Sequence, residues 1–141
     1  MSAGEVGLGI VPLTDDPDTG GFFAAAREGR LVVQECVSCG NLQQPPRHRC
    51  ITCLATDLTW HDLPKRGTIH SWTVVEHQIN PNFPAPYTVL LVDVEDEAST
   101  VPLRFLGRIV GREEPELGAA VELVFETVGD AVLPNWRLVE G

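Results

Sequence analysis

Cys36-Val37-Ser38-Cys39-Gly40, followed by Cys50-Ile51-Thr52-Cys53, is the stretch from which the rest of the chain is read. Its spacing is C-x2-C-x10-C-x2-C, and each x2 pair lets two thiolates face one ion from a tight knuckle. Gly40 follows the second cysteine, where a knuckle needs a residue tolerant of positive φ while amides point at sulfur. Leu54 occupies the matching place after Cys53, so the second knuckle is expected to be less regular. The competing reading is two disulfides, which a reducing cytoplasm disfavours. Cys36, Cys39, Cys50 and Cys53 are therefore predicted to hold one zinc ion per chain. Four thiolates complete the coordination shell and leave no open position for an activated water, so the expected role is structural. His48 lies between the pairs but is surplus once four cysteines are available.

Working outward, Leu31 to Glu35 predict an apolar strand entering the first knuckle, and Leu58-Thr59-Trp60 close the second, giving a zinc ribbon. Upstream, the stretch to Pro17 has no sustained period and is expected to be an irregular arm. Asp18 or Thr19 then caps a short helix carrying Phe22, Phe23 and Ala26, which Gly29 stops. Two readings of its apolar face stay open: packing on this chain's own core, or docking to another subunit. Downstream of His61 the pattern alternates with period two, placing Ile69, Ser71, Thr73 and Val75 on one side of a strand and His70, Trp72 and Val74 on the other. Further strands are predicted at Tyr87 to Val94, Val101 to Leu106, Ala120 to Glu126 and Trp136 to Val139, with Pro, Gly and Asp residues such as Pro86, Gly118 and Pro134 breaking the chain between them. Five short strands without a long helix point to an OB-fold barrel, which removes most exposed edges. The expected fold is mainly β: an N-terminal helical arm (1–30), a zinc ribbon (31–61) and a five-stranded OB-fold barrel (62–141).

The 20 acidic and 10 basic residues give a net charge of −10, which offers no general footprint for nucleic acid. A mean hydropathy of +0.02 suits one compact domain with a small appendage. No apolar run reaches the roughly 20 residues that cross a bilayer, and the start Met1-Ser2-Ala3-Gly4-Glu5 lacks signal-peptide character, so a cytoplasmic protein is expected.

No nucleophile elbow, Gly-rich phosphate loop or His-x-x-x-His helix is present in the sequence. His61, His70 and His77 have no carboxylate partner that spacing identifies, and they read as structural or exposed. Two basic pairs, Arg47 with Arg49 and Lys65 with Arg66, could meet the phosphates of a nucleotide-like cofactor; the plainer reading is that they offset an acidic surface. Trp60, Trp72, Tyr87 and Trp136 are expected in the core, whereas Phe83 in its Pro-rich loop is a candidate for exposure.

A set of motifs adds to this. Glu28-Gly29-Arg30-Leu31-Val32-Val33-Gln34, Cys36-x-x-Cys39-Gly40, Gln44-Pro45-Pro46-Arg47, Cys50-x-x-Cys53, Leu58-x-Trp60 and Arg66-Gly67-Thr68-Ile69-His70-Ser71-Trp72-Thr73 together resemble the acyl-CoA-associated family long labelled domain of unknown function 35. Pro86-Tyr87-Thr88-Val89, Leu117-Gly118 and Val121 to Glu126 fit the same pattern, so the resemblance spans about Phe22 to Trp136. It implies a helical arm, a rubredoxin-like zinc ribbon and an OB-fold, in a family whose members occur with thiolases, acyltransferases and steroid-CoA aldolases, some as the tail of a hydratase-like chain. The function so implied is a non-catalytic accessory subunit of a thiolase-fold acyl-CoA enzyme, preferably an aldolase acting on a steroid-CoA or other bulky acyl-CoA. A standalone acyl-CoA-binding module and a nucleic-acid-binding OB-fold are the alternatives.

Overall fold

β1 (Leu31–Cys36) is the strand on which the two halves of the molecule meet. Leu31, Val32 and Val33 are all buried, so both faces of the strand are covered. The structure is a computed structural model that describes residues 11–111 and 114–139. Residues 1–10, most of the expected irregular arm, lie outside the described residues.

Ahead of β1 stands one helix, α1 (Gly20–Arg27), and after it come β2 (Leu42–Gln43), β3 (Leu58–Leu63), β4 (Arg66–Val75), β5 (Tyr87–Val94), β6 (Leu103–Arg108), β7 (Ala120–Val128) and β8 (Ala131–Leu138). The first three strands form an antiparallel sheet in the order β2-β1-β3. The other five run β6-β5-β4-β7-β8, and a parallel bridge between Ile109 and Trp136 brings the outer strands together into a nearly closed barrel. The fold is thus mainly β with one short helix, a cysteine-bearing ribbon and a five-stranded barrel. Leu31, Val33, Leu42 and Leu63 of the ribbon sheet share one apolar cluster with Leu90, Val92, Phe105, Val121 and Trp136 of the barrel. That shared core fixes the ribbon on the barrel.

α1 packs on this chain's own core. Phe22 lies against it, its ring 6.4 Å from Phe105 and nearly parallel to it, and Ala25 and Ala26 are buried. Phe22 and Phe23 are half-buried, so part of the apolar helix face stays open. Its start differs from expectation, because Thr19 makes no side-chain cap bond; Asp16 Oδ2 instead accepts from the amides of Asp18 and Thr19. Gly29, at φ 77, ends the helix as expected.

Three strand expectations need correction. A bulge between Ile69 and Ser71 reverses the alternation in β4: Ile69 pairs with Val92 and, past the bulge, Trp72 pairs with Leu90, so Ile69 shares the inner face with Trp72 and not with Ser71. Trp72 is nevertheless 39% exposed, so the expectation that it lies in the core does not hold. β8 begins at Ala131 rather than Trp136, because Pro134 does not break it: Pro134 pairs with Phe125 in an outer strand, where a missing N–H is tolerated. β6 begins two residues later than expected, at Leu103. Phe83 is half-buried, its ring 6.5 Å from that of Tyr87, rather than exposed.

Gly67 lies close against the backbone of β5, since a Cβ there would lie 2.6 Å from the main-chain oxygen of Asp93. Backbone cannot step aside as a side chain can. Gly67→Ala is expected to lower stability by about 1–3 kcal/mol, read as a fall in the thermal midpoint; an unchanged midpoint would show that β4 and β5 can separate there freely.

Candidate metal centre and its surroundings

The two cysteine pairs are held by matched backbone turns. In the first, the Cys36 amide donates to Asn41 O at 2.9 Å and the Gly40 amide donates back to Cys36 O at 2.8 Å. In the second, the Cys50 amide donates to Ala55 O at 2.9 Å and the Leu54 amide to Cys50 O at 3.0 Å. Gly40 has φ 78 and Leu54 has φ 66, so both turns close through the left-handed region. The expected irregularity of the second knuckle is not found. Leu54 adopts the glycine conformation itself, at a cost of roughly 1–2 kcal/mol for a residue with a Cβ.

The four sulfurs lie within 4.8 Å of one another, with Cys36 and Cys53 3.5 Å apart and Cys39 and Cys50 3.6 Å apart. Zinc–sulfur bonds of about 2.3 Å in a tetrahedron give edges of about 3.8 Å, so this cluster fits one zinc ion. Cys36 and Cys50 are buried and Cys39 and Cys53 exposed. The electrostatics agree with that reading. Amides of Cys53 and Thr52 hold the Cys50 thiol down at about 6 against the cost of desolvation. At Cys39 the Asn41 amide also favours the thiolate, but desolvation and the sulfurs of Cys50, Cys53 and Cys36 outweigh it and push the thiol up to about 12. Sulfurs this crowded cannot all ionise without a cation among them. When bound, zinc would cross-link the two knuckles, with its shell filled by Cys36, Cys39, Cys50 and Cys53.

Behind the knuckles sits a brace that spacing did not reveal. Gln34 and Gln43 are cross-strand partners on β1 and β2, and both are buried. Gln34 accepts from the Arg47 amide at 2.8 Å and donates to Arg47 O at 2.7 Å. Gln43 donates to Gln34 Oε1 at 2.6 Å and to Arg49 O at 3.0 Å, and accepts from the Ile51 amide at 2.9 Å. Two amide side chains thus hold the loop between the knuckles. Arg47 and Arg49 project from it exposed. Lys65 and Arg66, also exposed, lie elsewhere: Lys65 Nζ donates to Gly29 O, just before β1, and Arg66 begins β4. The four cations therefore sit as two pairs toward different ends of β1.

Two histidines do have carboxylate partners that only the fold brings near. His61 Nε2 lies 3.0 Å from Asp96 Oδ2, joining β3 to the loop after β5. His70, at the bulge, lies 3.5 Å from Asp93, which Arg104 also contacts at 2.7 Å. The loop from Glu95 to Pro102 lines an open cleft of about 420 Å³ whose carboxylates suit it poorly to a phosphate ligand. Among the described residues, the four cysteines form the one cluster of His, Cys, Asp or Glu able to hold a metal, and no helix is long and apolar enough to cross a membrane.

Comparison with known proteins places this geometry. Residues 23–59 match the ChsH2 rubredoxin-like zinc ribbon domain and residues 60–126 the ChsH2 C-terminal OB-fold domain. A probable enoyl-CoA hydratase alpha subunit of Thermomonospora curvata is 32% identical over 123 residues, covering 85% of this chain and 37% of that protein. The chain thus spans well under half of that relative's length. Among solved structures, a chain of the Ltp2-ChsH2(DUF35) aldolase superposes with a TM-score of 0.79 at 29% identity, over 90% of this chain and 98% of that one. A DUF35-family protein of unknown function from Sulfolobus solfataricus shares the fold at a TM-score of 0.57 and 16% identity, over 87% of this chain and 86% of that one.

Metal analysis of the purified chain is expected to find about one zinc per chain, and Cys36→Ser or Cys53→Ser should lose the metal and much of the stability. Absence of zinc, with the four thiols paired as disulfides, would contradict this. A second expectation concerns Asp96, whose carboxyl is held below the usual range by the Ala98 amide and then by His61. A depressed carboxylate contributes stability above its unfolded value, about pH 4, and loses it as pH falls through the folded value. The thermal midpoints of wild type and Asp96→Asn should therefore differ most at neutral pH and converge in acid; a constant gap would refute the assignment.

Proposed function

The chain belongs to the ChsH2 family of rubredoxin-like zinc ribbon and OB-fold proteins, and from that premise we propose that it is a non-catalytic accessory subunit of a thiolase-fold enzyme acting on acyl-CoA. The observation that carries this most directly is the likeness, over 98% of its length, to a chain of the Ltp2-ChsH2(DUF35) aldolase. An aldolase that cleaves the side chain of a steroid-CoA or another bulky acyl-CoA is the preferred partner, in the cytoplasm. The relative named as an enoyl-CoA hydratase subunit supports the link to acyl-CoA chemistry, through a segment that is only 37% of it.

Carbon–carbon cleavage next to a thioester needs a positioned base and a site for the developing oxyanion. Both basic pairs of this chain are exposed cations rather than bases, and the four-cysteine centre, once filled, has no free position with which to polarise a carbonyl. What arm, ribbon and barrel supply as units is a rigid body to hold a partner and border its acyl-CoA entrance. Lys65 and Arg66 contribute positive potential that draws CoA phosphates toward that entrance, with Arg47 and Arg49, toward the other end of β1, as the weaker candidates. The rival of a standalone acyl-CoA-binding module requires the chain alone to bind CoA esters. The nucleic-acid rival meets a net charge of −10.

Two measurements test the proposal. The metal-loaded chain by itself should show no turnover of acyl-CoA substrates, while its thiolase-fold partner gains activity or solubility in its presence. Reversing Lys65 and Arg66 to Glu should raise the KM of the complex more than it lowers kcat, as loss of uniform binding does. Robust turnover by the chain alone would overturn the accessory role.

A further inference from the structure

We propose that the tips of the two zinc knuckles are a docking surface for a protein partner that offers an apolar pocket rimmed by carboxylates. This rests on the accessory-subunit reading and names the face through which that subunit binds.

The starting point is Leu54. The two knuckles are built alike, and at equivalent places one has Gly40 and the other Leu54, both with positive φ. Glycine takes this conformation freely, whereas leucine is strained in it. The strain is not offset by burial within the chain, because Leu54 is 62% exposed. Its side chain therefore costs the isolated fold twice, through backbone strain and through apolar surface left in water. The second cost is relieved when another molecule covers it, and that contact offsets the first, which stays with the turn. Val37 and Ile51, each directly after the first cysteine of its pair, are 55% and 60% exposed. Three apolar side chains thus stand out on adjacent turns that the four sulfurs draw together.

The charge of the region says what covers them. From Cys36 to Thr56 there is no Asp or Glu, in a chain with 20 of them, although Glu35 and Asp57 flank the stretch and the Val37 amide donates to Asp57 O. Arg27, Arg30, Arg104, Arg108 and Arg137 are all tied to oxygens of this chain. The exposed side chains of Arg47 and Arg49, like that of Arg66 toward the other end of β1, make no hydrogen bond or ion pair among the described residues. Nor do they serve the sulfurs: Cys50 Sγ takes its hydrogen bonds from the Thr52 amide and Asn41 Nδ2. Two unspent guanidinium groups beside an apolar tip fit a pocket edged with carboxylates. A second copy of this chain would bring the same Arg47 and Arg49 and a net charge of −10 against its like, so the occupant is a different protein. The surface is also preorganised, since Gln34 and Gln43 fix the backbone at Arg47, Arg49 and Ile51. Such a patch would be the centre of an interface rather than its whole extent.

The test uses the full zinc-loaded chain and a thiolase-fold acyl-CoA subunit from the same organism, with affinity measured in solution. Leu54→Gly should keep its zinc and hold or raise the thermal midpoint, yet weaken association by about tenfold or more. Ile51→Asp should fold normally and weaken it similarly. Arg49→Glu should slow the on-rate and flatten its dependence on salt. If Leu54→Gly and Ile51→Asp bind as tightly as wild type, the knuckle surface is wrong while the accessory reading stands. If Leu54→Gly unfolds or releases zinc, Leu54 serves the fold and the proposal falls. If wild type itself fails to bind, both fall together.

Discussion

Four sulfurs confined within 4.8 Å of one another are the constraint on which this structure turns. In water such a group would hold most of its protons, and its members would repel once ionised. Here the backbone forces the arrangement: each knuckle folds back on its first cysteine through an amide-to-carbonyl bond, and amides at Cys50 favour the thiolate. A zinc ion would resolve the crowding, with Cys36, Cys39, Cys50 and Cys53 as its ligands. The fit follows from the donor set and its spacing, and it defines what the metal can do. A filled tetrahedron can tie two loops together but cannot readily bind a substrate oxygen.

From that centre, mechanical continuity runs into the barrel. β1 carries Cys36 at one end and Leu31 at the other, and Leu31 lies in the same apolar cluster as Trp136 and Phe105. Phe22 of α1 joins this cluster, so arm, ribbon and barrel share a single core. Two polar side chains buried near the metal, Gln34 and Gln43, spend their hydrogen bonds on the inter-knuckle loop rather than on a ligand. The polar interior thus sets the shape of the ribbon's outer surface. A protein built in this way presents a fixed face, which is what a subunit that braces another requires.

How much of this the sequence disclosed depended on range. The cysteine spacing is a local signal and named four residues whose sulfurs the fold brings together; likewise Gly29 named the helix end. β5 could be read as an apolar, β-branched run after Pro86, and its buried residues alternate at Leu90, Val92 and Val94. β4 was misread past Ile69 because a bulge is invisible to a period-two count, and one inserted residue moves every later side chain to the other face. Pro134 looked like a break because its neighbours in the sheet were not known. His61 and Asp96 are 35 residues apart, so their pairing depends on the strand register and no spacing rule finds it. The inter-knuckle brace was hidden for a related reason: a glutamine in a strand reads as a solvent-facing residue until its cross-strand partner is another buried glutamine. Leu54 was noticed as an anomaly, but sequence alone suggested a looser turn where the structure has a regular turn under strain.

The central claim is that the metal is a closed brace and that chemistry belongs to a partner. Zinc X-ray absorption, recorded on the purified chain and on its complex with a thiolase-fold subunit before and after addition of an acyl-CoA, addresses this directly. The expected result is a shell of four sulfurs at about 2.3 Å, the same in all three samples. An oxygen or nitrogen ligand, or a shell that changes when the acyl-CoA is added, would contradict it and place the metal in the reaction.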